Sequence, residues 1–288
     1  MTEESTLTFD DLPDNLYLEI FQYLPSSTDL LNLQRVSKRW QRVACDYWLW
    51  KKVKITPHPI LKTTLAKIVR RYFTESTTSL DVCGGVWRRR RHMSSTVSLS
   101  NNVLSLIGKM SPKLREFMIE EDNLKDIDLS LLPSSVQRLS FTNCEIPTDC
   151  LVNVDKNFPE LRSLLFRRCP ILQDGHLALF GKLENLERLE CYGCYRIDSS
   201  AIRVIAENFS NLKNSCSDWF PISRDRDCAI IAEKLPKLTT IEIEEWIDIT
   251  MNGVTTLRKN LRNLKFLSIK CSSINQGEIV IEGSRVHV

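Results

Sequence analysis

The sequence predicts an α/β solenoid preceded by a small all-α unit of three short helices. Three observations carry that reading. Large apolar residues recur at helical spacing over about the first fifty positions. A short motif, apolar-x-x-apolar-x-apolar, then returns at a nearly constant interval, and most segments between its copies carry apolar residues three and four apart, as helices do.

In the first unit Pro13 suits the first turn of a helix, where its missing N–H is not needed, and Leu16, Ile20 and Leu24 recur every four residues. Ser26, Ser27 or Thr28 can cap a second helix carrying Leu30, Leu31 and Leu33; Ser37 can cap a third carrying Trp40, Val43, Ala44 and Tyr47. Trp48-Leu49-Trp50 closes the unit. So short a stretch cannot bury this many large side chains against one another, and each one fully buried is worth roughly 1.5 to 3 kcal/mol. Another surface is expected to cover them.

Leu12-Pro13, Leu16, Glu19-Ile20-Phe21, Leu24, Leu30, Val36-Ser37, Arg39-Trp40 and Leu49-Trp50 resemble an F-box over residues 9–53, with Ser37 where Cys is commoner in that family. The resemblance implies that Leu12, Pro13, Ile20, Phe21, Leu24, Leu30, Val36 and Trp40 dock a Skp-type adaptor, and through it a cullin and a RING subunit of a ubiquitin ligase. The plainer alternative makes these residues the core of a helical cap on a repeat domain.

Residues 1–8 read as a flexible N-terminus and 54–77 as a connector: Pro57 and Pro59 interrupt it, then Leu61, Leu65, Ile68, Val69 and Tyr72 follow at helical spacing. Thr78–Cys83 reads as a first strand ending at Gly84-Gly85.

The repeats come next. Leu114, Val136, Leu161 and Leu186 each begin one motif, in steps of 22, 25 and 25 residues; Leu238 and Leu264 begin two more, and Leu212 stands midway between 186 and 238. The period lies in the leucine-rich-repeat range, in which each unit supplies a strand and a returning helix or 3₁₀ turn. Helices are expected over Asp174–Leu183, Asp198–Phe209, Cys228–Leu235 and Thr250–Leu261, capped by Asp174, Asp198 and Thr250 where the sequence offers them. Cys144, Cys169 and Cys194 share one register position, which resembles the cysteine-containing leucine-rich repeats often joined to an F-box, over residues 78–275. In that pattern a buried small polar residue bonds the backbone where the strand turns away. Ser215 and Ser217 replace the apolar pair in one unit, so a distorted strand is expected there, followed by Trp219-Phe220-Pro221. Residues 276–288 read as two short strands around Gly283-Ser284 that cover the last repeat.

Composition narrows the function. Hydrophobic content of 42% supports a folded core, and a net charge of +3 makes no general case for nucleic acid or anionic membrane. No run approaches about 18 apolar residues, and Met1–Thr6 lack the basic start of a signal peptide. The expected location is the cytoplasm or nucleus, with the ten cysteines as thiols. Cys191-x-x-Cys194 has no second pair to complete a zinc site, Cys216 has no evident His as base, and His58, His92, His176 and His287 are scattered. No cofactor, metal or catalytic residue is expected. Arg88–Arg91, between Trp87 and His92, reads mainly as a solvated loop, with contact to an acidic partner or nuclear import next and nucleic acid last.

If the apolar strand positions point inward, the alternate positions line a concave face. On it Arg138, Arg167 and Arg188 fall in consecutive units, with Leu165 and Tyr192 beside them, and Asp218, Glu242 and Glu244 follow. Arginines on one stripe suit a carboxylate or phosphorylated segment of a protein target; the alternative is a solvated sheet face. The expected function is a non-catalytic substrate receptor, with a repeat scaffold acting outside ubiquitin transfer as the other reading.

Overall fold

The computed structural model describes residues 9–56, 59–85, 99–197, 200–217, 224–244, 249–270, 278–282 and 285–287. Arg88–Arg91, Asp198 and Trp219-Phe220-Pro221 lie outside them.

A 3₁₀ turn at Phe9–Asp11 leads into α1 (Asp14–Phe21), α2 (Ser27–Leu33) and α3 (Lys38–Ala44). Ser26 and Ser37 cap α2 and α3, accepting from the backbone N–H groups of Thr28 at 3.2 Å and Trp40 at 3.1 Å. The core of the unit is aromatic. Rings of Phe9, Tyr17, Phe21 and Trp40 meet with centroids 5.2 to 5.8 Å apart. Tyr17 and Phe21 therefore face inward, and the predicted Leu16, Ile20, Leu24 stripe is not the buried one; α1 also ends before Leu24. Tyr47 lies beyond α3 and is exposed.

Trp50 ties this unit to the repeats. Its ring stacks on Tyr72 at 3.9 Å, its indole N–H donates to the Ala44 carbonyl at 2.8 Å, and its own carbonyl accepts from Thr77 at 3.1 Å. Two residues later the sheet has begun: β1 (Lys52–Ile55) pairs parallel with β2 (Ser79–Cys83). The stretch read as connector thus contains the second half of the first strand and a returning helix, α4 (Lys62–Tyr72), whose Leu65, Ile68, Val69 and Tyr72 are buried.

The remaining units alternate in order: α5 (Asn101–Met110), β3 (Glu116–Glu120), a 3₁₀ turn at Leu129–Leu131, β4 (Arg138–Thr142), a second at Thr148–Leu151, α6 (Val154–Asn157), β5 (Ser163–Arg167), α7 (Asp174–Leu179), β6 (Arg188–Tyr192), α8 (Ser200–Asn208), β7 (Asn214–Ser217), α9 (Asp225–Lys234), β8 (Thr240–Glu244), α10 (Met251–Asn260) and β9 (Phe266–Lys270). Two antiparallel strands, β10 (Glu278–Glu282) and β11 (Arg285–His287), complete the order. Among the described residues the strands form one sheet in chain order from β1 to β11, parallel through β9. Thr250 caps α10, whereas Asp174 sits in the first turn of α7 and Gln173 takes the cap position.

Register explains the core. Phe117, Leu139, Leu164 and Leu189 stand side by side on neighbouring strands, as do Ile119, Phe141, Phe166 and Cys191. Behind them Phe141, Phe166, Phe180 and Phe209 stack in file, with successive centroids 5.4, 5.8 and 6.5 Å apart. At the strand ends Glu121, Asn143, Arg168 and Gly193 turn the chain at φ of 52 to 64°. Directly after them come Asp122, Cys144, Cys169 and Cys194, all fully buried. Each of these three thiols donates to the carbonyl two residues back and to one on the preceding strand, at 3.3 to 3.8 Å. Burial pushes Cys144 up to about 12, which suits a structural thiol rather than a nucleophile.

The unit with serines at its inward positions does not lose its strand. β7 is four residues long and pairs in register with β6 and β8. Backbone bonds on both sides hold it: Lys213 N–H donates to Glu187 O at 2.9 Å, and Lys213 O accepts from Thr239 at 2.7 Å. Those bonds do not depend on an apolar side chain.

One glycine is fixed by packing. Gly108 lies inside α5, where Ala normally favours a helix by about 1 kcal/mol. Here a Cβ would collide with the Leu131 carbonyl oxygen of the next unit. Gly108→Ala is therefore expected to lower stability by about 1 to 3 kcal/mol, read as an earlier urea midpoint; a later midpoint would show that the turn moves freely away.

Candidate protein-docking surfaces

The helical unit leaves an apolar surface uncovered. Pro13 is exposed, as are Ile20 (42%) and Val36 (61%), while Leu12, Leu24 and Trp40 are half-buried. Tyr23, which the sequence reading did not select, is the most exposed apolar side chain of the unit. Phe21 and Leu30 are corrections: both are buried in the core, Phe21 by its aromatic neighbours, and neither is available to a partner. The Leu12-Pro13 entry is held against α3. Arg39 bonds Asp14 at 2.9 Å, donates to the Leu12 carbonyl and lies 4.7 Å from the Tyr17 ring; Arg42 bonds the other Asp14 oxygen at 2.5 Å. The Arg39 hydrogen bond holds the Asp14 carboxyl below its usual range.

The second surface is the exposed face of the sheet. Alternation holds in β3 and β4 but fails in β5 and β6, where the middle positions are buried. The cause is Glu190. Its carboxylate, with a side chain 4% exposed, accepts from Arg167 at 2.7 Å and from Arg188 at 2.6 Å, so two long side chains converge across the middle of the face. Leu165, in register beside Glu190, is 8% exposed and offers no apolar contact, contrary to expectation. Tyr192 remains exposed. Arg138 is half-exposed and bonds Glu116 at 3.0 Å.

The structure brings Arg167, Arg188 and Tyr192 together around a hollow of about 660 Å³, which Arg168, Thr142, Glu190, Thr240 and Glu242 also line. Arg138 does not belong to it but lines a second hollow at the starting ends of the strands. Sequence reasoning missed Arg168, which sits at the turn position where alternation gives no direction, and the clamping role of Glu190. An acid two residues from an arginine on one strand face was the available signal. Glu190 fixes the two guanidiniums in place beside the hollow.

On β2 Asp81 is pushed up to about 6, first by burial and then by Glu120; Thr56 donates to one oxygen at 3.3 Å and the other has no partner. The unfolded chain releases this proton near the ordinary value of about 3.9, the folded chain near 6. Stability contributed by the neutral acid is therefore lost as pH rises from about 4 to about 6. Asp81→Asn is expected to raise the melting temperature at pH 7.5 and to flatten its pH dependence over that interval. An unchanged profile would mean that Asp81 ionises freely in the fold.

Among the described residues no cluster of three or more His, Cys, Asp or Glu side chains could hold a metal ion, and no helix is long and apolar enough to cross a membrane.

Residues 9–56 match the family model described as F-box-like. F-box/LRR-repeat protein 12 of Mus musculus and of Homo sapiens is 28% identical over 208 residues, covering 72% of this chain and 62% of that protein. F-box/LRR-repeat protein 25 of Arabidopsis thaliana is 25% identical over 235 residues, covering 74% of this chain and 87% of that protein. The chain thus spans 62% of the length of the mammalian relatives. Among solved structures, the Rad7 and Elc1 complex in yeast is similar over 66% of this chain and 48% of that one, at 15% identity and a TM-score of 0.44.

Proposed function

We propose that this chain, an F-box and leucine-rich-repeat protein, is a non-catalytic target receptor of a ubiquitin ligase. The observation that carries the reading is the uncovered apolar surface of Leu12, Pro13, Ile20, Leu24, Val36 and Trp40 on the segment that matches the F-box-like model. A Skp-type adaptor covers that surface and connects the chain to a cullin and a RING subunit. The sheet face, with Arg167, Arg188 and Tyr192 around one hollow and Arg138 at the other, holds a protein target. Rate is gained by tethering the target near a charged ubiquitin-conjugating enzyme, through effective concentration and orientation.

Coexpression with a Skp-type adaptor, followed by size-exclusion chromatography, tests the reading. A one-to-one complex is expected for the wild type. It should be lost with Leu12→Asp/Pro13→Ala, whose far-ultraviolet circular dichroism stays that of the wild type. A wild-type chain that elutes alone beside the adaptor would leave a repeat scaffold with no link to ubiquitin transfer.

A further inference from the structure

The starting edge of the sheet carries a charge pattern of its own. One residue before each parallel strand, a backbone N–H donates to the carbonyl of the equivalent residue one strand earlier. Eight such bonds of 2.7 to 2.9 Å link Lys51 to Lys265 without a gap. Every second member of this row is an exposed cation: Lys51, Arg115, Arg162, Lys213 and Lys265. Between them stand Thr78, Gln137, Glu187 and Thr239, all half-buried. Neighbouring strands lie about 4.8 Å apart, so the cations recur about every 9.5 Å over roughly 40 Å. Glu187 is the single acid of the row, shared at 3.1 Å by Arg162 and Lys213; among the described residues Lys51, Arg115 and Lys265 form no ion pair. A cation in the last turn of a helix complements the dipole, but these five lie outside the helices. The overall charge of +3 hides this local excess.

A second feature stands at one end of the row. Tyr47 and Trp48 are 59% and 47% exposed, in a turn closed by the Lys51 N–H on the Trp48 carbonyl at 3.4 Å. The Asp46 carboxylate accepts from the Trp48 N–H at 2.8 Å, and Lys52, also exposed, follows Lys51. Two large aromatic side chains are thus left in water next to two lysines, and neither is among the residues assigned to the adaptor.

We propose that this edge rests on an anionic membrane surface, with the cations over lipid headgroups and Tyr47 and Trp48 at headgroup level. Each Lys or Arg close to an anionic leaflet favours binding about fivefold, and aromatic rings suit the membrane–water boundary. A fluid bilayer fits the pattern better than a nucleic acid does. Lipids move laterally, so acidic headgroups gather under the cations and neutral ones under Glu187. A strand of duplex nucleic acid carries a phosphate about every 3.4 Å along the axis, and sets some of them against Glu187 and the uncharged members. The proposal stands apart from the ubiquitin reading; joined to it, it places the receptor's work at a membrane.

The test sediments the full chain with vesicles of phosphatidylcholine alone and of phosphatidylcholine mixed with phosphatidylserine at three to one. Partition into the mixed vesicles is expected to be at least thirtyfold stronger and to fall as salt is raised. Arg115→Gln/Lys265→Gln should weaken it about twenty-fivefold while keeping adaptor coelution. Lys125→Gln/Arg226→Gln removes the same charge outside the row and should leave partition within about twofold of the wild type. Tyr47→Ser/Trp48→Ser should weaken it at least threefold with an unchanged salt dependence. Equal partition into both vesicles, equal losses for the two charge pairs, wild-type partition of the aromatic variant, or displacement by single-stranded DNA at equal phosphate concentration would overturn the proposal. Loss of adaptor coelution in the wild type with membrane binding intact would sink the ligase reading alone.

Discussion

Trp50→Ala is expected to lower the unfolding free energy by about 3 to 5 kcal/mol, the range for deleting a buried aromatic side chain. Three interactions fail together. Tyr72 loses the ring stacked on it at 3.9 Å, the Ala44 carbonyl at the end of α3 loses its 2.8 Å donor, and the core between the helices and the first strands acquires a cavity. Trp50→Phe keeps an aromatic ring against Tyr72 but removes the donor. It should cost about 1 to 3 kcal/mol, as expected for a buried carbonyl left unpaired. Urea unfolding followed by circular dichroism reads both, and a loss below about 1 kcal/mol for the alanine variant would show that the junction is held elsewhere.

Phe166→Ala is the other large effect, again about 3 to 5 kcal/mol. Phe166 is fully buried and stacks between Phe141 and Phe180, in the middle of the aromatic file. In a repeat array each unit is supported mainly by its neighbours, so a cavity at the centre weakens coupling between the two halves as well as total stability. The expected signature is a broader or two-step urea transition, with hydrogen exchange accelerating first in β5 and β6. A single sharp transition shifted only slightly would mean that the surrounding leucines close the gap.

Much of this architecture was legible because a strand with one buried face writes an alternating pattern, and a constant return distance stacks those patterns in register. Leu139, Leu164 and Leu189, each three residues after the start of its motif, and Cys144, Cys169 and Cys194 are examples. Lys52–Ile55 was not legible as a strand. It is only four residues long and is wedged between Trp50 and Pro57, so its identity comes from pairing with Ser79–Val82 rather than from its own pattern. Asn214–Ser217, where a distorted strand was expected, keeps a strand one residue shorter than its neighbours: the sequence breaks the pattern, while two flanking strands impose the backbone. On the surfaces, alternation named which residues share a face but not which of them reach each other. Glu190 drew Arg167 and Arg188 across the sheet and covered the centre, and the aromatic cluster turned Phe21 inward. Such long-range convergence has no local signature.

The junction at Trp50 has a further consequence under the receptor reading. Because the sheet begins two residues after the helical unit ends, with no slack chain between them, the assembly works as a ruler. A flexible joint would let bound cargo sweep many positions; this one presents it at a single distance and angle. Selection then happens twice, once by affinity for the face and once by where the cargo's lysines fall. A protein that binds tightly but carries its lysines in the wrong sector is not modified. It occupies the face and acts as a competitive inhibitor.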